Sequence, residues 1–450
     1  MRRWRTVSAG EAVYRKVARR LIPILMICYI LNFIDRTNIG LAKLAFMPDL
    51  GMTEAMYGLG AGLFYIGYTV CEIPSNFMLK RIGARLTLLR IMVAWGLCAA
   101  AFAFMRNAVD YYVLRTLLGV AEAGFFPGML LFISFWIPQA RRARFTALFM
   151  SAMAISGIVS GPLSAAIMTG FEGVAGWPGW RWMFLVEGLP SVAMGVVAFL
   201  MLADQPAKAK WLTDEDKATL AAEFARETAI QPAAARHHHF RTAMQDPRLY
   251  SMAAMSVSLI AGGAGLVLWA PTVLRQSGVS SVTTIGWLLA VPYVVAIFVQ
   301  QFVARRSDRL QERRWHSAIP AFIGALGWLL LIISDHRPAL AMSALTMIAV
   351  GFLGATGPFW AMPSRYLTGT AAAGGLALIT MAGGIGSFLS PVLVGYLATK
   401  TGSLTGGYAY YAALMALGPL AMLYGTRRIE RSRADSPDEI VYDPDHSRSG

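Results

Sequence analysis

Charge is scarce in this sequence of 450 residues: charged side chains make up 14%, where a soluble domain carries about 25%. Hydrophobic residues make up 56% and gather in runs of roughly 20 residues, long enough to cross the ~30 Å hydrocarbon core as a helix. Isolated strands would leave their backbone groups unpaired in lipid. A soluble globular chain is therefore excluded, and an all-α membrane protein is expected. Cysteine is nearly missing. Cys28, Cys71 and Cys98 all fall inside apolar runs, which excludes a disulfide framework and leaves packing as their role.

Other absences narrow the function. There is no metal-ligand set, nucleophile motif or phosphate-binding glycine loop, so a membrane-embedded enzyme has nothing to work with. The run His237–His238–His239 has no cysteine or acidic ligands beside it and reads as a solvated loop. A receptor or sensor would need a signalling domain, and residues 427–450 are only a short polar tail with the composition of a disordered segment. The basic stretch Met1–Arg20 precedes an apolar run that is too long for a signal peptide and lacks a small-residue cleavage site. It reads as a retained first span.

What is present is a pattern of spans and basic turns. Spans are expected at 20–42, 55–79, 86–105, 110–137, 144–169 and 181–203, then at 248–273, 283–304, 317–334, 339–362, 371–398 and 405–426. The net charge of +15 would suggest a nucleic-acid partner on a soluble protein. Here the basic residues sit in short breaks between spans, so no nucleic acid is implied. With both termini inside, thirty lysines and arginines fall in inner segments. The outer loops hold six: Lys43, Arg106, Arg181, Arg275, Arg337 and Lys400. That bias places both termini in the cytoplasm. The resulting division is a basic N-terminus (1–19), a six-helix bundle (20–203), a cytoplasmic linker (204–246), a second six-helix bundle (247–426) and the tail (427–450). In the linker, Trp211–Arg226 has Thr213 as N-cap and apolar residues at helical spacing, the pattern of a surface helix.

The halves resemble each other. Lys80–Arg85 follows the second span and Arg305–Arg314 the eighth, both as basic turns. Gly157, Gly161 and Pro162 in the fifth span match Gly383, Gly384, Gly386 and Pro391 in the eleventh. Repeated halves are a basis for alternating access, although any membrane helix uses glycine for close packing.

Ionisable residues inside spans carry the most information, because a charge in the bilayer is costly and usually functional. Asp35 and Arg36 lie in the first span, Glu72 in the second, Arg90 in the third, Arg115 and Glu122 in the fourth and Glu187 in the sixth. Residues 248–304 and 338–399 contain no acid at all. Asn32, Asp35 and Arg36 share one helical face, as do Arg115, Gly119 and Glu122, and as do Tyr65, Tyr68 and Glu72. Two acids and two arginines are thus expected to converge in the first half. An arginine there suits a carboxylate ligand, and a buried acid suits proton uptake. Glu72, Arg90 and Glu187 read instead as structural charges near membrane edges. The second half offers Trp269, Phe359 and Trp360 beside prolines, either as walls of a binding cavity or as interface anchors.

These residues carry a resemblance to a family. Tyr29–Gly40 (Tyr-Ile-Leu-Asn-Phe-Ile-Asp-Arg-Thr-Asn-Ile-Gly) resembles the first-span signature of the anion:cation symporters of the major facilitator superfamily. Gly67–Asn76 resembles the second span and Arg115–Gly128 the fourth, and Glu187-Gly188-Leu-Pro190 is a further echo. The likeness covers about residues 12–426, with the tartrate, phthalate and related carboxylate carriers as the branch it is most similar to. It implies the major facilitator fold of twelve helices in two bundles. It also implies a bacterial inner-membrane location, a monomer, and import of a small organic anion with protons, with no cofactor beyond the coupling proton. An exchanger or efflux carrier of the same fold is the alternative, and Gly157–Pro162 is faintly similar to an antiporter motif. By resemblance, Asp35 and Glu122 take protons, and Arg36 and Tyr68 hold the substrate carboxylate. Arg115 links these by pairing with an acid, and Gly83, Arg85, Asp308 and Arg309 belong to inner latches. The sequence departs from the family at Gly384–Ser387 and at Met153, where sugar-acid carriers use polar side chains. That departure leans towards a smaller or more apolar acid.

Overall fold

The computed structural model describes residues 9–230, 246–363 and 369–427. The His237–His239 run, Arg365 and nearly all of the tail lie outside the described residues. Among those described, the chain is helical throughout, without strands. The first half comprises α1 (Ala9–Asp49), α2 (Glu54–Ile82), α3 (Ala84–Ala101), α4 (Ala108–Glu122), α5 (Phe125–Trp136), α6 (Gln139–Gly170) and α7 (Gly179–Met201). The linker holds α8 (Asp214–Ile230). The second half comprises α9 (Pro247–Gln276), α10 (Val282–Leu310), α11 (Arg314–Leu331), α12 (Pro338–Trp360), α13 (Gly369–Thr401) and α14 (Thr405–Gly425).

Each expected span has its helix. By length and composition, nine segments of the described residues are apolar enough to cross a membrane. The other three are α2, α11 and α14. Charge explains the first of these, because Glu54, Glu72, Lys80 and Arg81 dilute α2.

The fourth span differs from its expectation. It is broken: α4 ends at Glu122, Ala123 leaves the helical region, and Gly124 adopts φ 84° before α5 begins. Only glycine takes that conformation without strain, and a Cβ there would also press on the Ser75 hydroxyl. A break at membrane depth is tolerated where it is buried in protein, and this one falls at an acid.

The linker helix forms as its sequence suggests. The Thr213 hydroxyl accepts from the Asp216 N–H, and the Asp216 carboxylate accepts from the Thr213 N–H, both at 3.1 Å. This reciprocal cap opens α8. Lys16 donates to Asp216 at 2.6 Å and the Tyr14 hydroxyl donates to Glu223 at 2.8 Å. Trp211 stacks on Trp136 with centroids 5.6 Å apart. α8 is thus fastened to the first half, which also explains why α1 reaches back to Ala9 instead of starting near residue 20.

The halves meet in a crossed pairing: α2 packs on α13, α6 on α10, and α1 on α9. Small residues make the approach possible. A Cβ on Gly40 would strike the Val267 carbonyl, one on Gly58 the Pro391 carbonyl, and Gly161 lies against Gly286. These contacts lie between the middle of each helix and the end away from the basic turns. Hydrogen bonds across the same region run from the Ala55 N–H to Thr399 (2.7 Å) and from the Tyr57 hydroxyl to the Leu268 carbonyl (3.3 Å). The molecule is therefore closed on its outer side.

Candidate solute and proton site

The site is built on the middle of α1. Its polar residues Asn32, Asp35, Arg36 and Asn38 turn into the first half and meet α2, α3, α4 and α7. Arg36 and Asn32 both reach Glu122, at the broken end of α4. The Arg36 Nε–Glu122 Oε2 distance is 2.5 Å and the Asn32 Nδ2–Glu122 Oε2 distance is 2.9 Å. The Arg36 side chain is 29% exposed and Glu122 is wholly buried, so the arginine stands between the acid and open space. The Arg36 guanidinium also lies 5.0 Å from the Tyr68 ring centroid and 5.4 Å from that of Phe64.

Asp35 points elsewhere. It accepts from Trp95 Nε1 at 2.9 Å and from the Ser191 hydroxyl at 3.0 Å, both on the same oxygen. The other oxygens of Asp35 and Glu122 are buried without a hydrogen-bond partner among the described residues. Arg115 is buried and its guanidinium rests 4.7 Å from the Phe64 centroid. It shares a small void with Asp35 and Asn38. No carboxylate lies within ion-pairing distance of Arg115 among the described residues, so the expected pairing with an acid is corrected: Arg36 makes it. Phe64, with a guanidinium near it from each of two helices, was missed in the sequence. Its signal was the i, i+4 spacing with Tyr68 on α2.

Glu187 also requires correction. It is 4% exposed, and neutral donors rather than a cation hold it, so it is not a structural ion pair. Ser164 on α6 donates to one of its oxygens at 2.7 Å and Asn38 on α1 to the other at 2.8 Å. Glu72 is half-buried, and Arg90 binds Ser75 at 2.7 Å.

Lys43, counted by sequence as an outer-loop residue, lies inside α1 and is 2% exposed. It pairs with Glu54 at 2.6 Å and reaches across the halves to the Thr272 hydroxyl at 3.0 Å. Its ammonium sits 4.1 Å from the Trp269 centroid and 4.6 Å from that of Tyr57. Trp269 therefore belongs to the outer closure rather than to the wall of an open cavity. Phe359 is wholly buried within the second half, in an apolar cluster with Leu249, Met252 and Met422, and is not a cavity wall. Trp360 packs edge-on against Phe359 at 5.1 Å, partly buried.

The latch residues contact their own halves. Gly83, at φ 86°, turns α2 into α3 beside Asp204. Arg85 donates its N–H to Asp204 at 2.9 Å and its guanidinium to the Phe199 carbonyl at 2.6 and 2.9 Å. Asp308 pairs with Arg313 at 2.5 Å, and Arg309 is exposed. Among the described residues, the contacts of neither turn reach the opposite half.

Comparisons with known proteins fit this architecture. The sequence profile described as Major Facilitator Superfamily matches residues 25–391. A putative tartrate transporter of Agrobacterium vitis is 39% identical, over 91% of this chain and 90% of that protein. The putative metabolite transport protein NicT of Pseudomonas putida is 38% identical, over 90% of this chain and 93% of its own length. The crystal structure of a D-xylose-proton symporter superposes with a TM-score of 0.71 at 15% identity, over 90% of this chain and 97% of that one.

Proposed function

We propose that this chain, which belongs to the major facilitator superfamily, imports a small organic carboxylate together with protons. That it is a transporter and not an enzyme, a multi-pass protein of the bacterial inner membrane, follows from the family and the relatives. The carboxylate, the proton and the direction are our reading.

The observation that carries it is the Arg36–Glu122 pair, half open on the arginine side and closed on the acid side. A carboxylate arriving from the open side can take Arg36 with a bidentate fork, lying against Tyr68. Glu122 then loses its cation in a site that does not readily hold an uncompensated charge. A proton on its unpartnered oxygen restores neutrality. Substrate binding and proton binding thus support each other through one guanidinium. Asp35 has a free oxygen in the same bundle and serves as the second proton site. Arg115, within reach of the same void, stabilises Asp35 when that acid is ionised. A tartrate-like hydroxy acid or an aromatic acid fits a site with one arginine fork and the rings of Phe64, Tyr65 and Tyr68. The glycines of the antiporter-like stretch are taken up by packing, Gly157 against Tyr293 and Gly161 against Gly286, so that stretch adds nothing for exchange.

The test is uptake of labelled tartrate, phthalate and hydroxyphenylacetate into proteoliposomes under an imposed inward proton gradient, with Glu122→Gln alongside. Gradient-driven uptake of one acid, lost in the variant, supports the proposal. Exchange that ignores the gradient in both proteins overturns it in favour of an exchanger.

A further inference from the structure

Glu187 is the one buried acid of the first half that the mechanism above leaves idle, and its surroundings are not those of a structural charge. No cation lies within ion-pairing distance of it among the described residues; both oxygens are held by neutral donors, Ser164 and Asn38. Asn38 in turn has a buried carbonyl oxygen without a partner. Replacing such a carboxylate by a neutral group would remove a cost, so a purely architectural role has no physical support.

Its position along the helices gives it a use. On α1, Asn38 follows Asp35 by three residues; on α7, Glu187 precedes Ser191 by four. Asp35 bonds Ser191 and Asn38 bonds Glu187. The two carboxylates are therefore successive rungs on the α1–α7 contact, about one 5.4 Å turn apart, with Glu187 on the outer side. Beside Glu187 lies a largely apolar cleft between the halves, whose polar lining is Thr37, Asn38, Ser160 and Ser164 from the first half and which is closed by Pro271 and Tyr293 from the second. It holds a few waters by size. The Thr37 and Ser160 hydroxyls share a 2.5 Å hydrogen bond there, and Ser164 leads directly to the carboxylate. A carboxyl group one hydrogen bond from the seam between the halves, and one turn outward of Asp35, is placed to meet protons before Asp35 when the halves part on the outer side.

We propose that Glu187 is the outer proton-loading residue of this transporter, receiving a proton at the seam between the halves by way of Ser164 and passing it inward to Asp35. The proton binds a Glu187 carboxylate oxygen. It leaves for the unpartnered Asp35 oxygen through Asn38 reorientation or a bridging water, and Glu187 returns to the carboxylate. The charged and titratable groups around the pair are few. Arg115 from α4 shares the void with Asp35 and Asn38. α4 also brings Glu122, α3 brings Trp95, which donates to Asp35, and α10 brings Tyr293 at the cleft. α6 brings hydroxyls only at this level.

This inference rests on the proton-coupled reading, and the experiment separates the two. Infrared difference spectra of the reconstituted protein are recorded on a step in external pH, alongside substrate counterflow, which needs no net proton movement. Carboxyl C=O bands in the wild type, together with gradient-driven uptake, sustain the coupled reading by themselves. The inference expects Glu187→Gln to keep counterflow within about threefold, to lose one of those bands, and to lose gradient-driven accumulation at least tenfold. An unchanged set of bands in Glu187→Gln overturns the inference and leaves Glu122 and Asp35 as the coupling groups. If Glu187→Gln shows no counterflow, Ser164→Ala decides instead. Proton uptake slowed several-fold with counterflow intact supports the path; unchanged proton uptake overturns it. Absence of any pH-linked carboxyl band in the wild type would overturn both readings.

Discussion

At the scale of single residues, the division of labour between two cations is what matters. Arg36 is paired, partly exposed and within reach of an arriving anion, and its use depends on a planar fork. Arg36→Lys keeps the charge and loses the fork; uptake efficiency should fall 10- to 100-fold, about 1.4–2.8 kcal/mol, read as a rise in half-saturating substrate in the vesicle assay. Lys43 has a different task. It stays with Glu54 in its own half and gives one hydrogen bond to Thr272 in the other. Thr272→Val removes that bond and keeps the side chain's shape, at a cost of about 1.5–3 kcal/mol for a hydrogen bond to a charged group. The outer-open form should then gain at least tenfold in population, measured as labelling of single cysteines placed near Val267 by a membrane-impermeant thiol reagent from outside. Unchanged labelling would show that Lys43 does not hold the halves together.

At the scale of elements, the break between α4 and α5 and the seating of α8 each make a prediction. Gly124→Ala forces a left-handed alanine against the Ser75 hydroxyl; it should lose about 1–2 kcal/mol in thermal unfolding and displace Glu122 from Arg36, so transport falls with stability. α8 is seated partly by Lys16, whose hydrogen bond holds the Asp216 carboxyl below the usual range. A depressed acid contributes its stabilisation above its unfolded value, near 3.9, and loses it as pH falls through the lower folded value. Seating of α8 should therefore be constant at neutral pH and weaken below about pH 4, seen as faster proteolysis of the linker, and Asp216→Asn should show that sensitivity at pH 7. The elements themselves were legible in the sequence because runs of apolar residues and basic turns are local signals. Thr213 announced α8 as an N-cap ahead of apolar residues at helical spacing. The break at Ala123–Gly124 was not legible, since a glycine in a membrane helix equally serves close packing. The placement of Glu187 was not legible either: a charge eight residues from the start of a 23-residue helix can face lipid or a neighbour, and only packing against Asn38 and Ser164 decides. Asp35, Arg36, Arg115 and Glu122 were rightly gathered into one bundle by helical spacing. Which arginine meets Glu122 depends on helix rotation, which no spacing encodes.

At the scale of the whole molecule, two six-helix halves are sealed outside by small residues. Gly58 and Gly161 lie against the opposite half, so Gly161→Leu should hold the outer side apart; counterflow should drop more than tenfold while the protein remains folded by circular dichroism. The distribution of fixed charge has an electrical consequence. Lys43 pairs with Glu54, and Arg90 and Glu72 offset each other in the count without being in contact among the described residues. That leaves Arg36 and Arg115 against Asp35, Glu122 and Glu187, one excess negative charge in the first half and none in the spans of the second. A carrier that turns most readily when neutral would keep one proton throughout and add one for each negative charge on its cargo. A monocarboxylate would then move with one proton and a dicarboxylate with two. Neither would generate current, and a voltage imposed across the membrane would leave their accumulation to the pH difference alone.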